Sequence, residues 1–203
     1  MRTLYIDFDK LNITPDLKEL FSKEILSTIK EKYKDSQIYI TDNQEAASIA
    51  SEHGAVKTIY IHNDQIIDFS DEALGNAFPS EGIAEVDVSD FVNQGFHLTG
   101  DLAEKIGTVA AHEGYHLLGP IGHSLEGGNL MSTGELIIDD LMNNNGQNLE
   151  FTNLQKALLL EDVNYDSGVD LSAIEQVYEQ DYSNLVEIED IQDALFDILD
   201  SLS

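Results

Sequence analysis

Apolar and polar positions alternate at the start of the chain. Leu4 to Phe8 (LYIDF) reads as a half-buried strand, since side chains in a strand point to opposite faces in turn. A change of period follows: Leu17, Leu20, Phe21, Ile25 and Ile29 recur at helical spacing behind Thr14-Pro15-Asp16, a cap residue with proline at the first helical position. This helix is expected to end near Lys34. Two more strand-like runs, 37–41 (QIYIT) and 57–63 (KTIYIHN), flank a short segment compatible with helix or loop. Strand, helix, strand, strand predicts an α/β sheet layer.

Residues 64–82 are rich in Asp, Gly, Ser and Pro and read as a long surface loop. IAEVDVSDF at 83–91 then alternates as an expected edge strand. From about Gly100, Leu102, Ile106, Val109, Ala110 and Leu117 fall on helical positions until Gly119-Pro120 stops the run. GGNLMSTG at 127–134 reads as a turn, and Thr152 as the cap of a helix to about Glu161. Two short helices are expected near 171–180 and 187–202, the second with Ile188, Ile191, Leu195 and Ile198 in one stripe. No internal repeat of solenoid length is present. The expected organisation is a domain over 1–163 and an acidic helical extension over 164–203.

Composition narrows the chemistry. The chain has 203 residues, 42% of them apolar, which suits one ordinary domain with a real core. It has no cysteine, so disulfides, thiolate metal sites and cysteine nucleophiles are excluded, and any metal must sit on His and carboxylate. A net charge of −29 disfavours nucleic acid and anionic membrane, both polyanions. Seven of the ten basic residues lie in the first 34 positions, and after Lys156 the charge is purely acidic. No apolar run approaches the roughly 20 residues of a membrane span, and no signal-peptide core follows Met1-Arg2.

The candidate chemistry lies on the helix from Gly100. His112-Glu113-Gly114-Tyr115-His116 is an H-E-x-x-H motif, and residues four apart on a helix share a face, so both imidazoles can address one metal ion. Glu113 is rotated off that face but stays near it, where a carboxylate can take a proton from zinc-bound water as general base. A catalytic zinc wants three protein ligands and one open position, and His123 follows His116 after a glycine that can reverse the chain. His53, His62 and His97 are scattered and read as surface or satisfied histidines. A rival arrangement takes its third ligand from a downstream carboxylate, Glu126, Glu135 or Glu150, as in thermolysin-like enzymes; a noncatalytic metal-binding interaction module is a further alternative.

HEGYHLLGPIGH followed by SLEGGNLMSTG resembles the metzincin clan of metalloproteases, whose signature is H-E-x-x-H-x-x-G-x-x-H and a methionine-containing turn beneath the metal. His112, Glu113, His116 and Gly119 fall on the pattern. His123 comes one residue late, with Gly122 at the expected place, and a one-residue bulge over Pro120 to Gly122 would reconcile the two. The interval from His123 to Met131 is similar to matrixin spacing. The resemblance covers about residues 3–162. It implies a metzincin-like fold: a mixed twisted sheet, an active-site helix, a Met-turn with Met131 as a platform, and a C-terminal helix. It implies a zinc endopeptidase with peptide or protein substrates, His112, His116 and His123 on zinc, and an edge strand near the metal to which an extended peptide can add. Thr133 stands where some clan members place a tyrosine ligand, and without cysteine there is no cysteine-switch latency. Likeness to secreted bacterial members implies an extracellular location, with a cytoplasmic one left open.

One further pattern concerns calcium. Asp162, Asn164, Asp166 and Asp170 resemble positions 1, 3, 5 and 9 of an EF-hand-type Ca²⁺ loop, although Ser167 replaces the glycine and Ala173 stands at position 12.

Overall fold

A computed structural model describes residues 2–34, 36–52, 54–63, 74–93, 95–96, 100–119, 123, 129–131, 138, 140–143 and 149–160. The Ca²⁺-type residues Asp162, Asn164, Asp166 and Asp170, the whole extension 164–203, the bulge at 120–122, Thr133, and Glu126, Glu135, His53 and His97 lie outside the described residues. In chain order the elements are β1 (Arg2–Asp7), α1 (Pro15–Lys32), β2 (Ile38–Thr41), α2 (Gln44–Ser51), β3 (Val56–His62), β4 (Gly75–Phe78), β5 (Ile83–Asp87), α3 (Val88–Asn93), α4 (Gly100–Leu118) and α5 (Asn153–Leu160). The fold is mixed α/β, as expected from the order of periodicities.

The five strands run in the order β2-β1-β3-β5-β4. β1 pairs parallel with β2 and with β3, and β3 pairs parallel with β5, while β4 lies antiparallel on β5. Alternation makes one face of this sheet apolar: Leu4, Ile6, Ile59, Ile61, Ala84 and Val86 are fully buried. Helix α4 lies on that face, because a methyl group added at Gly114 would stand 3.1 Å from Leu4 Cδ1 and 3.2 Å from Ile59 Cδ1. α1 packs against α4 just as closely: a methyl on Gly107 would come within 2.7 Å of Thr28 Cβ. Small residues here let two helices and a sheet meet at backbone distance.

Several expectations need correction. The segment 83–91 is not the edge strand. Only Ile83–Asp87 is extended, and it is interior, bonded on both sides by β3 and β4. Alternation alone fits an edge and an interior strand equally, because it reports faces and not neighbours. Asp87 ends the strand: its Oδ1 accepts from Ser89 N–H at 2.8 Å, and the chain turns into α3. Among the described strands the edge on this side is β4, which lies inside the stretch expected to be loop. Its sequence, GNAF, has little strand propensity and is held by pairing with β5.

The start of α1 also differs in detail. Thr14 makes no side-chain cap bond, so the helix begins through Pro15, whose fixed φ suits the first turn. Leu17 and Leu20, assigned to the apolar stripe, are exposed, and burial begins at Phe21. α2 settles the segment left open between β2 and β3, with Asn43 Oδ1 accepting from Ala46 N–H at 2.9 Å.

Candidate metal centre

His112 and His116 lie one turn apart near the end of α4, a helix anchored along its length. Tyr33, just past α1, donates its hydroxyl to the carbonyl of Ala111 at 2.8 Å, and burial holds that phenol neutral, well above its ordinary range. At the C-terminus the Arg2 guanidinium donates to Leu118 O at 2.9 Å, satisfying one of the orphan carbonyls of the last turn. The helix therefore presents its histidines from a fixed frame.

The Nε2 atoms of three histidines converge. His116 lies 3.1 Å from His112 and 3.2 Å from His123, and His123 lies 3.2 Å from His112. Neutral imidazoles gain little by crowding three such atoms together, but a cation among them would. A tetrahedral zinc with nitrogens at about 2.0–2.1 Å has an N···N edge of about 3.3 Å, so the observed triangle fits zinc closely. Burial favours the uncharged, ligand-competent form: it lowers His112 to about 4 and His116 to about 2, and it lowers His123 as well. Among the described residues these three form the only group of three or more His and carboxylate side chains able to hold a metal ion. His123, though one residue late, comes to the third corner.

The tautomer of His112 can be read from its other nitrogen. Nδ1 stands 2.7 Å from Leu130 O, and a carbonyl only accepts, so Nδ1 carries the proton and Nε2 keeps its lone pair for the centre. His116 Nδ1 is buried with no hydrogen-bond partner among the described residues. Leu130 and Met131 are both fully buried in the turn at 129–131.

Glu113 is buried beside the triangle, with Oε1 at 4.0 Å from His112 Nε2. Burial raises its pKa to about 8, so in the metal-free chain the carboxyl keeps its proton near neutral pH. A dication close by would oppose this and favour the carboxylate. β4 touches this acid directly, since a methyl on Gly75 would fall 2.9 Å from Glu113 Cγ. The edge strand thus runs beside the centre, as the resemblance implied, although a different segment supplies it.

Of the carboxylates in the rival arrangement, Glu150 is described, and it is engaged elsewhere. Its Oε1 accepts from Lys32 Nζ at 3.1 Å. His62 corrects another expectation, being neither exposed nor satisfied. Its ring is buried with Nε2 3.8 Å from Glu85 and Nδ1 3.9 Å from Asp87, and neither nitrogen has a hydrogen bond among the described residues. Strand register explains the neighbours, because Asp87 is its direct partner across β3 and β5.

The Leu130 carbonyl, Gly75 and Asn129, whose Oδ1 accepts from Met131 N–H, carry no signal in the sequence. Gln155, whose Nε2 donates to the same Asn129 oxygen, does, since Thr152-x-x-Gln155 has the spacing of a capping box.

Together these features define a three-histidine centre on a mixed α/β fold, with a buried acid and a sheet edge beside it. No protein-family model matches the chain, and no curated protein matches it. Among solved structures it is similar to a zinc-dependent peptidase from Methanocorpusculum labreanum at 15% identity, spanning 78% of this chain and 100% of that one, with a TM-score of 0.48. It is also similar to archaemetzincin from Methanopyrus kandleri at 15% identity, over 78% of this chain and 93% of that one, with a TM-score of 0.46. At that level the neighbours' activities remain their own, and the reading of this chain rests on its side chains.

Proposed function

We propose that this protein is a metzincin-like zinc endopeptidase, with His112, His116 and His123 as metal ligands and Glu113 as general base. The observation that supports this most is the near-equilateral triangle of Nε2 atoms with a buried carboxyl on the adjoining position. When bound, zinc supplies a Lewis acid that polarises a peptide carbonyl and makes water nucleophilic near neutral pH. Glu113 takes the proton from the attacking water and passes it to the leaving amine. In this reading Met131, fully buried in the same turn as Leu130, is a platform and not a ligand.

β4 orients the substrate. It is the last of the described strands, so its outer edge can take an extended peptide as a further strand, bringing a scissile carbonyl alongside Glu113. Main-chain pairing of this kind favours cleavage within a chain and suits an endopeptidase. In the same reading residues 1–163 form the catalytic unit and 164–203 an appended extension.

The test is metal analysis with casein or gelatin cleavage, for wild type beside Glu113→Ala. Stoichiometric zinc in both proteins with cleavage lost only in the variant is expected. Zinc without cleavage by wild type would sink the peptidase reading and leave a noncatalytic metal module.

A further inference from the structure

The geometry points to Gln155, on α5, as a positioning residue for the metal ligand His112, an inference that rests on the zinc reading above. His112 is oriented by a backbone carbonyl, that of Leu130, so its aim is only as firm as the turn that carries this carbonyl. Among the described residues, hydrogen bonds from two sides hold the turn. Leu130 N–H donates to Glu150 O at 2.9 Å, Met131 N–H donates to Asn129 Oδ1 at 2.9 Å, and Gln155 Nε2 donates to the same Asn129 oxygen at 3.2 Å.

The chemistry at 155 singles out an amide. Gln155 Oε1 accepts from Thr152 N–H at 3.0 Å, while Gln155 N–H donates to Thr152 Oγ1 at 3.2 Å, which is a reciprocal cap at the start of α5. Glutamate would serve that cap as well as glutamine. Only glutamine has an NH₂ group left over, and that group reaches Asn129. The side chain is fully buried, so the bond is made away from water. A path of hydrogen bonds thus runs from α5 through Asn129 and the turn to the ring whose Nε2 faces the centre. Partners of this outer kind typically change metal affinity by about 10- to 100-fold.

The experiment uses the full chain and reads metal binding directly, by zinc competition against a chromophoric chelator and by the visible spectrum of the Co²⁺-substituted protein. Gln155→Glu keeps the acceptor for Thr152 but turns an oxygen toward Asn129 Oδ1. It is expected to weaken zinc by about 10- to 100-fold and to shift the cobalt bands. Thr152→Ala removes the hydroxyl half of the cap without touching Asn129, and is expected to lower Tm while leaving zinc affinity and spectrum as in wild type. Should Gln155→Glu fail to fold, Gln155→Met removes the amide at nearly constant volume, leaves the Met131–Asn129 bond in place, and is expected to weaken zinc to the same degree. Wild-type affinity and spectrum in Gln155→Glu, or in the variant that replaces it, overturn the inference, as does an equal loss of affinity in Thr152→Ala. Wild type that binds zinc but cleaves no peptide refutes the proposed activity and leaves these readouts intact; wild type that binds no zinc refutes both.

Discussion

Replacing Gly75 by alanine probes the contact between the sheet edge and the proposed base. The added methyl would lie 2.9 Å from Glu113 Cγ, 3.0 Å from Val109 Cγ1 and 3.1 Å from Glu85 O, against an ordinary contact distance of 3.4–4 Å. Each contact is short by several tenths of an ångström. The Glu85 carbonyl is fixed in the sheet and Val109 in the α4 core, so the adjustment falls on Glu113 or on β4. Overpacking of this size costs about 1–3 kcal/mol of stability. A displacement of about 1 Å at a reacting group can cost about 100-fold in rate, so a shift of half that should lower kcat by about tenfold. Gly107→Ala is the comparison, being at least as tight at 2.7 Å from Thr28 Cβ but on the far side of α4 from the sheet edge. Thermal unfolding and peptide cleavage of the zinc-loaded proteins are then measured side by side. Both variants should lose Tm, and only Gly75→Ala should lose kcat beyond its loss of folded protein. Wild-type Tm and kcat in Gly75→Ala would refute the packing of β4 on Glu113.

Other consequences concern the centre and its supports. His123→Ala should abolish stoichiometric zinc while Glu150→Gln retains it, measured by metal analysis after dialysis; the reverse would favour a carboxylate third ligand. In the metal-free protein the folded-state pKa of Glu113, about 8, lies above its ordinary 4.5, so its stabilising proton is lost as pH rises through that window. The stability advantage of Glu113→Gln over wild type should therefore grow by a few kcal/mol between pH 4.5 and 8, the lowered histidines cancelling between the two proteins. Denaturant titration across pH measures this, and a flat difference counts against the burial of Glu113. Tyr33→Phe leaves Ala111 O without its hydroxyl donor and should cost about 1–3 kcal/mol by the same method.

Much of the centre was legible along the chain because it is local. His112 and His116 fall on one face by helical periodicity, and Glu113 follows from its place between them. Gly119-Pro120 marks the helix end as expected, and α4 closes at Leu118. Period also gave β1, β3, α1 and α5 to within a few residues. The strand order was not written there, since alternation records which residues face the core and says nothing about which strand lies alongside. For that reason β5 looked like an edge, and β4, a short run of weak strand formers, looked like loop.

The sequence by itself determined the available chemistry: histidine and carboxylate without cysteine, two imidazoles and an acid on one helical turn, and a net charge of −29. Tertiary structure alone decided that His123 closes the triangle despite its extra residue, that the strand outside 83–87, β4, touches Glu113, and that His112 takes its tautomer from Leu130. Each of these depends on where segments far apart in the chain come to rest, and periodicity carries no information beyond its own element. Burial, which moves Glu113 up and the histidines down, is likewise a property of the packed molecule and of no residue taken alone.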